Sequence, residues 1–352
     1  MTKIRLGFIG AGWWATTNHM PLLAARGDVE LRAVCRLGTD LLETVRQKFG
    51  FEFATQDYLE LLDQDLDAVV ISTPHHLHFE QAKAALERGL HVMCEKPLTL
   101  AAAQAWELVE LAERRGLVLL VPYGWHYKPF IQRAKALMTT PGIGKLEYAL
   151  CHMASPINYA GEGGVPSQWS DTLAAPDPTT WQVKSNGGGY AHGQITHSSA
   201  LLLWLTGLRA SRVSARLTTA GSPIDRYCAA SVTLDNDAIA AFSGAAALPR
   251  DAPFQVDLRL FGTEGVLLLD VERERLELRR HDGKVISLEI PNGAGAYSCE
   301  GPPARFIELI HGRGSNDSSG EVAARSVELI QAMYRSEASG GQPVTVQPQG
   351  LT

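Results

Sequence analysis

Short, continuously apolar runs alternate with amphipathic segments over the first third of the chain. Residues 4–9, 31–35, 68–72, 90–94 and 117–121 carry the apolar runs. Between them, residues 13 to about 26, 40–49, 76–88 and 99–115 repeat apolar positions at helical spacing. Gly50, Gly89 and Gly116 follow three of these segments, where a helix commonly ends on a left-handed residue. Thr99 is placed to cap the start of the last one. Strands that are apolar along their whole length are buried on both faces. The pattern therefore predicts a Rossmann-like, doubly wound parallel sheet over residues 1–125.

The rhythm changes after about residue 125. One more helical segment, 128–138, leads to a Pro141-Gly142 turn. Strand-like runs then crowd together at 146–153, 213–219, 229–234, 238–246, 254–261, 266–271, 276–280 and 285–290. Asp235-Asn236 and Asp282-Gly283 mark turns between them. Closely spaced strands without intervening helices predict an α+β domain over residues 126–352, built on a large, mostly antiparallel sheet. Helices at about 194–205, 304–310 and 321–336 are expected to cover one face. Residues 161–189 are rich in Gly, Pro and Trp, and irregular segments of that length are usually functional or disordered.

Composition changes this picture only by exclusion. The 352 residues suit two domains better than one, and 45% hydrophobic with 20% charged residues is ordinary for a globular protein. A net charge of −6 without long runs of one sign gives no electrostatic footprint for nucleic acid. No stretch reaches the roughly 20 apolar residues of a membrane span. The opening residues lack the apolar core of a secretory signal, so a cytoplasmic location is expected. The cysteines Cys35, Cys94, Cys151, Cys228 and Cys299 are scattered without a CxxC, so neither disulfides nor a metal site are expected.

The chemistry sits in the turns that follow the strands. Gly10-Ala11-Gly12-Trp13-Trp14-Ala15 is a GxGxxA between the first strand and the first helix. Gly10 permits the tight turn, Gly12 lets backbone approach a pyrophosphate, and Ala15 allows close helix–strand packing. The residue ending the second strand selects the cofactor: an acid bonds a ribose hydroxyl, an arginine accommodates a 2′-phosphate. Arg36 stands there and points to NADP over NAD, with Asp40 close by. Ser72-Thr73-Pro74-His75-His76-Leu77-His78 leaves the third apolar run at its ligand-binding end, with His75 best placed to reach a nicotinamide. Its three histidines have no partnering carboxylate or cysteine motif, which argues against a metal. Glu95-Lys96-Pro97 leaves the fourth run in the same way. Oxidising an alcohol requires a group that takes the hydroxyl proton, and a partly desolvated lysine has the lowered pKa to do so. On the tripeptide alone, Lys96 reads equally well as a surface lysine in a β–α turn.

Taken together, Gly10-x-Gly12-x-x-Ala15, Ser72-Thr73-Pro74, His78 and Glu95-Lys96-Pro97 resemble, in order and spacing, the Gfo/Idh/MocA oxidoreductases. The resemblance continues through Tyr123-Gly124-Trp125-His126, the Gly142-x-Gly144-Lys145 turn, and Gly187-Gly188-Gly189 with His197. It implies an NAD(P)-dependent dehydrogenase acting on a secondary hydroxyl of a sugar, glycoside or cyclitol. By the same resemblance, Lys96 is the catalytic lysine, His197 assists proton transfer or binds substrate, and the second domain forms an open-faced sheet used for homodimers or homotetramers. Tyr123, Trp125, His126, His152, Trp169, His192 and Gln194 are the substrate-side candidates, with Trp125, Trp169 and Trp181 able to stack on a sugar ring.

One position departs from the family pattern: an Asp normally follows the triple glycine by four residues, and here that position is Gly193. His197 thereby loses the acid expected one helical turn before it; Gln194 replaces the hydrogen bond but not the charge. Two other readings follow from the same fold. One is a hydrolase or lyase that retains its nicotinamide and cleaves glycosides through transient oxidation. The other is a non-catalytic sensor, which the retained Lys96 and His197 argue against.

Overall fold

A computed structural model of the chain describes residues 3–157, 172–174 and 178–346. Its first sheet has six strands: β1 (Ile4–Ile9), β2 (Val29–Cys35), β3 (Phe53–Thr55), β4 (Ala68–Ile71), β5 (His91–Cys94) and β6 (Leu119–Leu120). They are all parallel, in the order β3-β2-β1-β4-β5-β6. Alternate side chains divide between two cores. Leu6, Phe8, Ala68, Val70 and Met93 face one, and Ile9, Val69, Ile71, Val92 and Cys94 face the other. That division explains why the strands are apolar throughout. The helices α1 (Met20–Ala24), α2 (Thr39–Phe49), α3 (Tyr58–Leu62), α4 (His78–Glu87) and α5 (Ala102–Arg115) cover the two faces.

Local details differ from the sequence pattern. The first helix opens with a widened, π-type turn over Ala15–His19 and stops at Ala24 rather than near Arg26. β3 and α3 have three and five residues, too short to show a periodicity. The run expected at 117–121 pairs only over Leu119–Leu120. Thr99 does not cap α5; its hydroxyl donates to the Ala101 carbonyl, and Ala101 is the extended residue before the helix.

The second sheet has nine strands: β7 (Leu146–Ala154), β8 (Ala210–Thr218), β9 (Tyr227–Leu234), β10 (Ile239–Ala245), β11 (Gln255–Gly262), β12 (Gly265–Asp270), β13 (Arg275–Arg280), β14 (Val285–Leu288) and β15 (Val344–Thr345). Their order is β14-β13-β12-β11-β7-β10-β9-β8-β15, and every pairing is antiparallel except β7 with β10. The helices are α6 (Pro129–Leu137), α7 (Pro178–Gln182), α8 (Thr196–Thr206), α9 (Gly301–Ile310) and α10 (Gly320–Ala338).

Along β7, Ala149, Cys151 and Met153 turn inward toward α8, where the Cys151 thiol meets the Ser198 carbonyl. Tyr148 turns outward, opposite Ile239 and Phe261, and these three apolar side chains are exposed on the uncovered face. α10 ties the two halves together. It packs on β8 and α5, and its Glu328 accepts from Trp106 Nε1 at 2.7 Å and Arg209 at 2.9 Å. No helix of the described residues is long and apolar enough to cross a membrane.

Candidate active site

The carboxyl ends of β1, β4 and β5 open into one cavity of about 520 Å³. The turn after β1 lines it. Gly10 has φ +89°, and a Cβ there would stand 2.6 Å from the Ser72 carbonyl oxygen, so only glycine fits. Gly12 serves differently: a Cβ at this position would meet no atom within 4 Å and would project into the open space. The backbone at the start of the first helix is therefore unshielded, and the positive end of the helix dipole lies at the cavity. Ala15 is fully buried and lets the helix lie close on the sheet. This cradle fits the pyrophosphate of a dinucleotide.

The cavity extends to the end of β2, where Arg36 lines it with Gln56 and Tyr58. The Arg36 guanidinium donates to the carbonyls of Leu37 (2.9 Å) and Ala11 (3.0 Å). Among the described residues, Glu95 is the only carboxylate lining the cavity, and it belongs to the β5 end rather than to this one.

Ser72, Thr73, Pro74 and His75 line the cavity after β4. His75 Nδ1 donates to the Gly187 carbonyl at 3.0 Å, joining this turn to the triple glycine of the second half. Burial, reinforced by the charges of His78 and Lys96, holds His75 well below the ordinary histidine range. Its tautomer is thereby set, and Nε2 remains an acceptor. His78 lies behind the wall. Its two ring nitrogens meet the carbonyls of Pro97 (2.8 Å) and Thr73 (2.9 Å), clamping the β4 and β5 turns to each other.

Lys96 leaves β5 into the same cavity and is buried. Its Nζ donates to the Gly193 carbonyl at 3.1 Å and lies 5.7 Å from the centre of the Trp181 ring. Burial lowers its pKa, against the opposing pull of Glu95 and Cys299. Glu95 is held on both oxygens: Oε1 by His19 Nε2 at 2.6 Å, Oε2 by the Lys96 backbone N–H at 3.1 Å. Burial alone would raise its carboxyl, but the hydrogen bond from His19 and the charges of His19 and Lys96 bring it below the usual value.

From the second half, His197 and Gln194 reach the cavity. His197 stands edge-on to Tyr123 (5.7 Å), Trp125 (5.5 Å) and Tyr297 (5.4 Å), and its Nδ1 is buried without a partner among the described residues. Burial, with the charges of Lys96 and His126, pushes its pKa well below the ordinary value.

Several candidates stand elsewhere. Tyr123 shares a hydrogen bond with Thr196 at 3.0 Å behind the wall. His126 is stacked between Tyr123 and Trp204, donates to the Asp317 carbonyl at 2.7 Å, and is pulled down to about 4 by burial. His192 packs on Tyr334 and is pulled to about 4 for the same reason. His152 lies on the open face of the nine-stranded sheet, bonded to Ser243 at 2.8 Å. Trp169 falls outside the described residues.

The cavity thus gathers Gly10, Gly12, Trp13, Trp14, Arg36, Ser72, Thr73, Pro74, His75, Glu95, Lys96, Trp125, Gln194 and His197. Among the residues that the motifs do not mark are His19 beneath Glu95, and Phe254, Tyr297 and Thr180 in the wall. His19 is a polar residue on the buried side of the cofactor helix, a signal that was present in the sequence. Phe254 and Tyr297 sit outside the regular elements and carried none. Among the described residues, no group of three His, Cys, Asp or Glu is arranged to hold a metal.

A glycine cradle at the first β–α turn, with a buried lysine two strands away, is an arrangement suited to a dinucleotide-dependent oxidoreductase. Residues 4–123 match the NAD-binding Rossmann-fold domain of the GFO_IDH_MocA oxidoreductase family, and residues 131–268 match the C-terminal domain of the same family. The chain belongs to the Gfo/Idh/MocA family.

It is 28% identical over 235 residues to levoglucosan dehydrogenase of Pseudarthrobacter phenanthrenivorans, covering 62% of this chain and 55% of that protein. It is 31% identical over 146 residues to D-glucoside 3-dehydrogenase of Escherichia coli, covering 41% and 42%. The chain thus matches about half the length of these curated relatives. A crystal structure of levoglucosan dehydrogenase with NADH and L-sorbose superposes with a TM-score of 0.77 at 21% identity, covering 99% of this chain and 100% of that one.

Proposed function

We propose that the protein is an NAD(P)-dependent dehydrogenase that interconverts a secondary hydroxyl and a ketone on a sugar, glycoside or cyclitol. The observation that carries this reading is Lys96, buried in the same cavity as the Gly10–Gly12 cradle and His197. The sugar dehydrogenases among its relatives support the substrate class.

Bound NAD(P)+ supplies the hydride acceptor. Lys96, with its pKa lowered by burial, takes the hydroxyl proton during oxidation and returns it during reduction. The Gly193 carbonyl holds its Nζ in place. His197 is neutral at physiological pH and acts as a hydrogen-bond partner of the reacting oxygen rather than as an acid. Trp125 and Trp181 exclude water around the pair.

Arg36 favours the 2′-phosphate, hence NADP. In this reading residues 1–125 carry the cofactor and 126–352 the substrate. The exposed Tyr148, Ile239 and Phe261 face makes a homodimer or homotetramer in the cytoplasm, which sedimentation of the purified protein tests.

The central test is a panel of monosaccharides, glycosides and inositols, run with NAD and NADP in parallel. Growth of reduced-nicotinamide absorbance is expected with at least one class of sugar. Net cleavage of a glycoside without accumulated reduced cofactor would instead establish redox-neutral chemistry.

A further inference from the structure

We propose that the substrate is a glycoside whose aglycone is aromatic. The inference rests on the assignment of Lys96 as the catalytic group and concerns what surrounds it. Trp125, Phe254 and Tyr297 come from three separate segments and meet in one cluster. Their ring centres are 4.9 Å apart for Trp125–Tyr297, 5.6 Å for Trp125–Phe254 and 6.1 Å for Phe254–Tyr297. Trp125 and Tyr297 also bracket His197. Trp14 extends this wall, 6.5 Å from Tyr297, and Trp181 stands over Lys96 Nζ. All five rings line the one cavity.

Four of these rings keep an open surface: Trp14, Trp181, Phe254 and Tyr297 are half-buried around the small Trp13–Ile157 cluster, whereas Trp125 is buried in the main core, on which Phe254 and Tyr297 also rest. A pyranose offers two faces and so occupies two rings; four half-buried rings exceed what one sugar covers.

Polar partners point the same way. A desolvated hydroxyl needs a hydrogen bond. Among the described residues at this end of the cavity, Lys96, His197, Gln194 and Thr180 provide it. That set serves one sugar ring. A second sugar would press its hydroxyls against indole and phenyl, whereas an aryl group buries apolar surface against them.

The test is calorimetric titration of the NADPH- or NADH-loaded protein with phenyl β-D-glucopyranoside and with methyl β-D-glucopyranoside, with the α-anomers as a second pair. The expected result is at least tenfold tighter binding of the phenyl glycoside in one pair. Trp181→Ala and Tyr297→Ala should each reduce that preference at least fivefold; two variants on separate segments guard against one that fails to fold. Equal affinity for phenyl and methyl glycosides overturns the inference, as does tighter binding of 1,6-anhydroglucose than of either. Because binding is read without turnover, a retained phenyl preference, with no reduction of added NADP+ or NAD+ by the phenyl glycosides in a separate assay, upholds the aromatic subsite and overturns only the dehydrogenase assignment.

Discussion

His19 Nε2 and Glu95 Oε1 stand 2.6 Å apart in the buried seam between the cofactor helix and the turn that carries Lys96. Through the second Glu95 oxygen the contact reaches the Lys96 backbone N–H. If Lys96 acts as proposed, His19 serves as a positioning residue for it, and this is tested by substitution. His19→Ala is expected to lower kcat about tenfold to a hundredfold, the scale of a slightly misplaced reacting group, with substrate KM changed far less. His19→Gln, which can present a nitrogen to the same oxygen, should recover part of the loss. The hydrogen bond from His19 holds the Glu95 carboxyl down, so its removal moves the acid limb of the pH–rate profile to higher pH. A variant with lower thermal stability but an unchanged kcat and acid limb would reduce His19 to a packing residue.

Lys96 carries the largest expected effect. Lys96→Met should cost about 10²–10⁴-fold in kcat, the usual range for losing a general acid–base group, while NADPH still binds by fluorescence titration. Burial depresses the lysine pKa, so the charged form is disfavoured in the folded state. The resulting penalty to stability is present at neutral pH and disappears only above the unfolded-state pKa. Lys96→Met removes it and is expected to raise Tm by about 2 °C. The rate of oxidation should climb with pH as Lys96 loses its proton, with a midpoint below the ordinary lysine value. Full activity in Lys96→Met would end the assignment.

The order of legibility follows from physics. The six-stranded sheet was readable because its longer strands are buried on both faces and three of its helices run into Gly50, Gly89 and Gly116, so period and punctuation agree. β3, α3 and β15 were not, because segments of two to five residues are too short for either period to repeat often enough to stand out. The ligand turns at Gly10, Ser72 and Lys96 were legible as motifs. What the motifs omit is the wall facing them: Tyr297 and Phe254 reach the cavity through long-range packing that no local spacing encodes. The same blindness placed His152 at the site, although β-strand alternation turns it to the open face. His126 and His192 follow the motifs in sequence but spend their rings on packing against Trp204 and Tyr334.

Gly193 leaves His197 without a carboxylate one turn away, and burial keeps the imidazole neutral. No histidine limb near the ordinary value should therefore appear in the pH–rate profile. Gly193→Asp is expected to create one, because a carboxylate beside His197 stabilises its charged form. Nitrogen NMR of the histidines checks the same shift directly: neutral through weakly acidic pH in the parent, titrating at higher pH in the variant. A parent His197 that titrates near its ordinary value would contradict this account.

Arg36 occupies the position where an acid would bind the ribose hydroxyls of NAD. The charge is retained despite partial burial, since an arginine pKa lowered from so high a value stays above physiological pH. The ratio of kcat/KM for NADP over NAD should exceed one. Arg36→Asp should reverse it, with a loss of about tenfold or more on NADP from the missing phosphate contact, on the scale of a charge-assisted hydrogen bond. An unchanged ratio in the variant would place the selectivity elsewhere.

Glu328 decides how firmly the two halves hold together. Its carboxylate is buried on α10 and accepts from Trp106 on α5 and from Arg209 just before β8. Removing the acceptor takes a hydrogen bond from the buried Trp106 indole N–H and one from the Arg209 guanidinium. Arg209 also lies over the Trp106 ring, 4.7 Å from its centre, so the two donors are fixed relative to each other and cannot readily turn to water. Glu328→Leu should therefore destabilise by about 2–4 kcal/mol, slightly less than a fully buried pair because Arg209 keeps some exposure. Glu328→Gln keeps one acceptor oxygen and should cost about half as much, in the range of a hydrogen bond to a charged group. Urea midpoints measure both. Because Glu328 does not line the cavity, kcat at low temperature should stay near the parent value. A loss of kcat without a shift in midpoint would mean that α10 transmits to the site rather than only binding the halves.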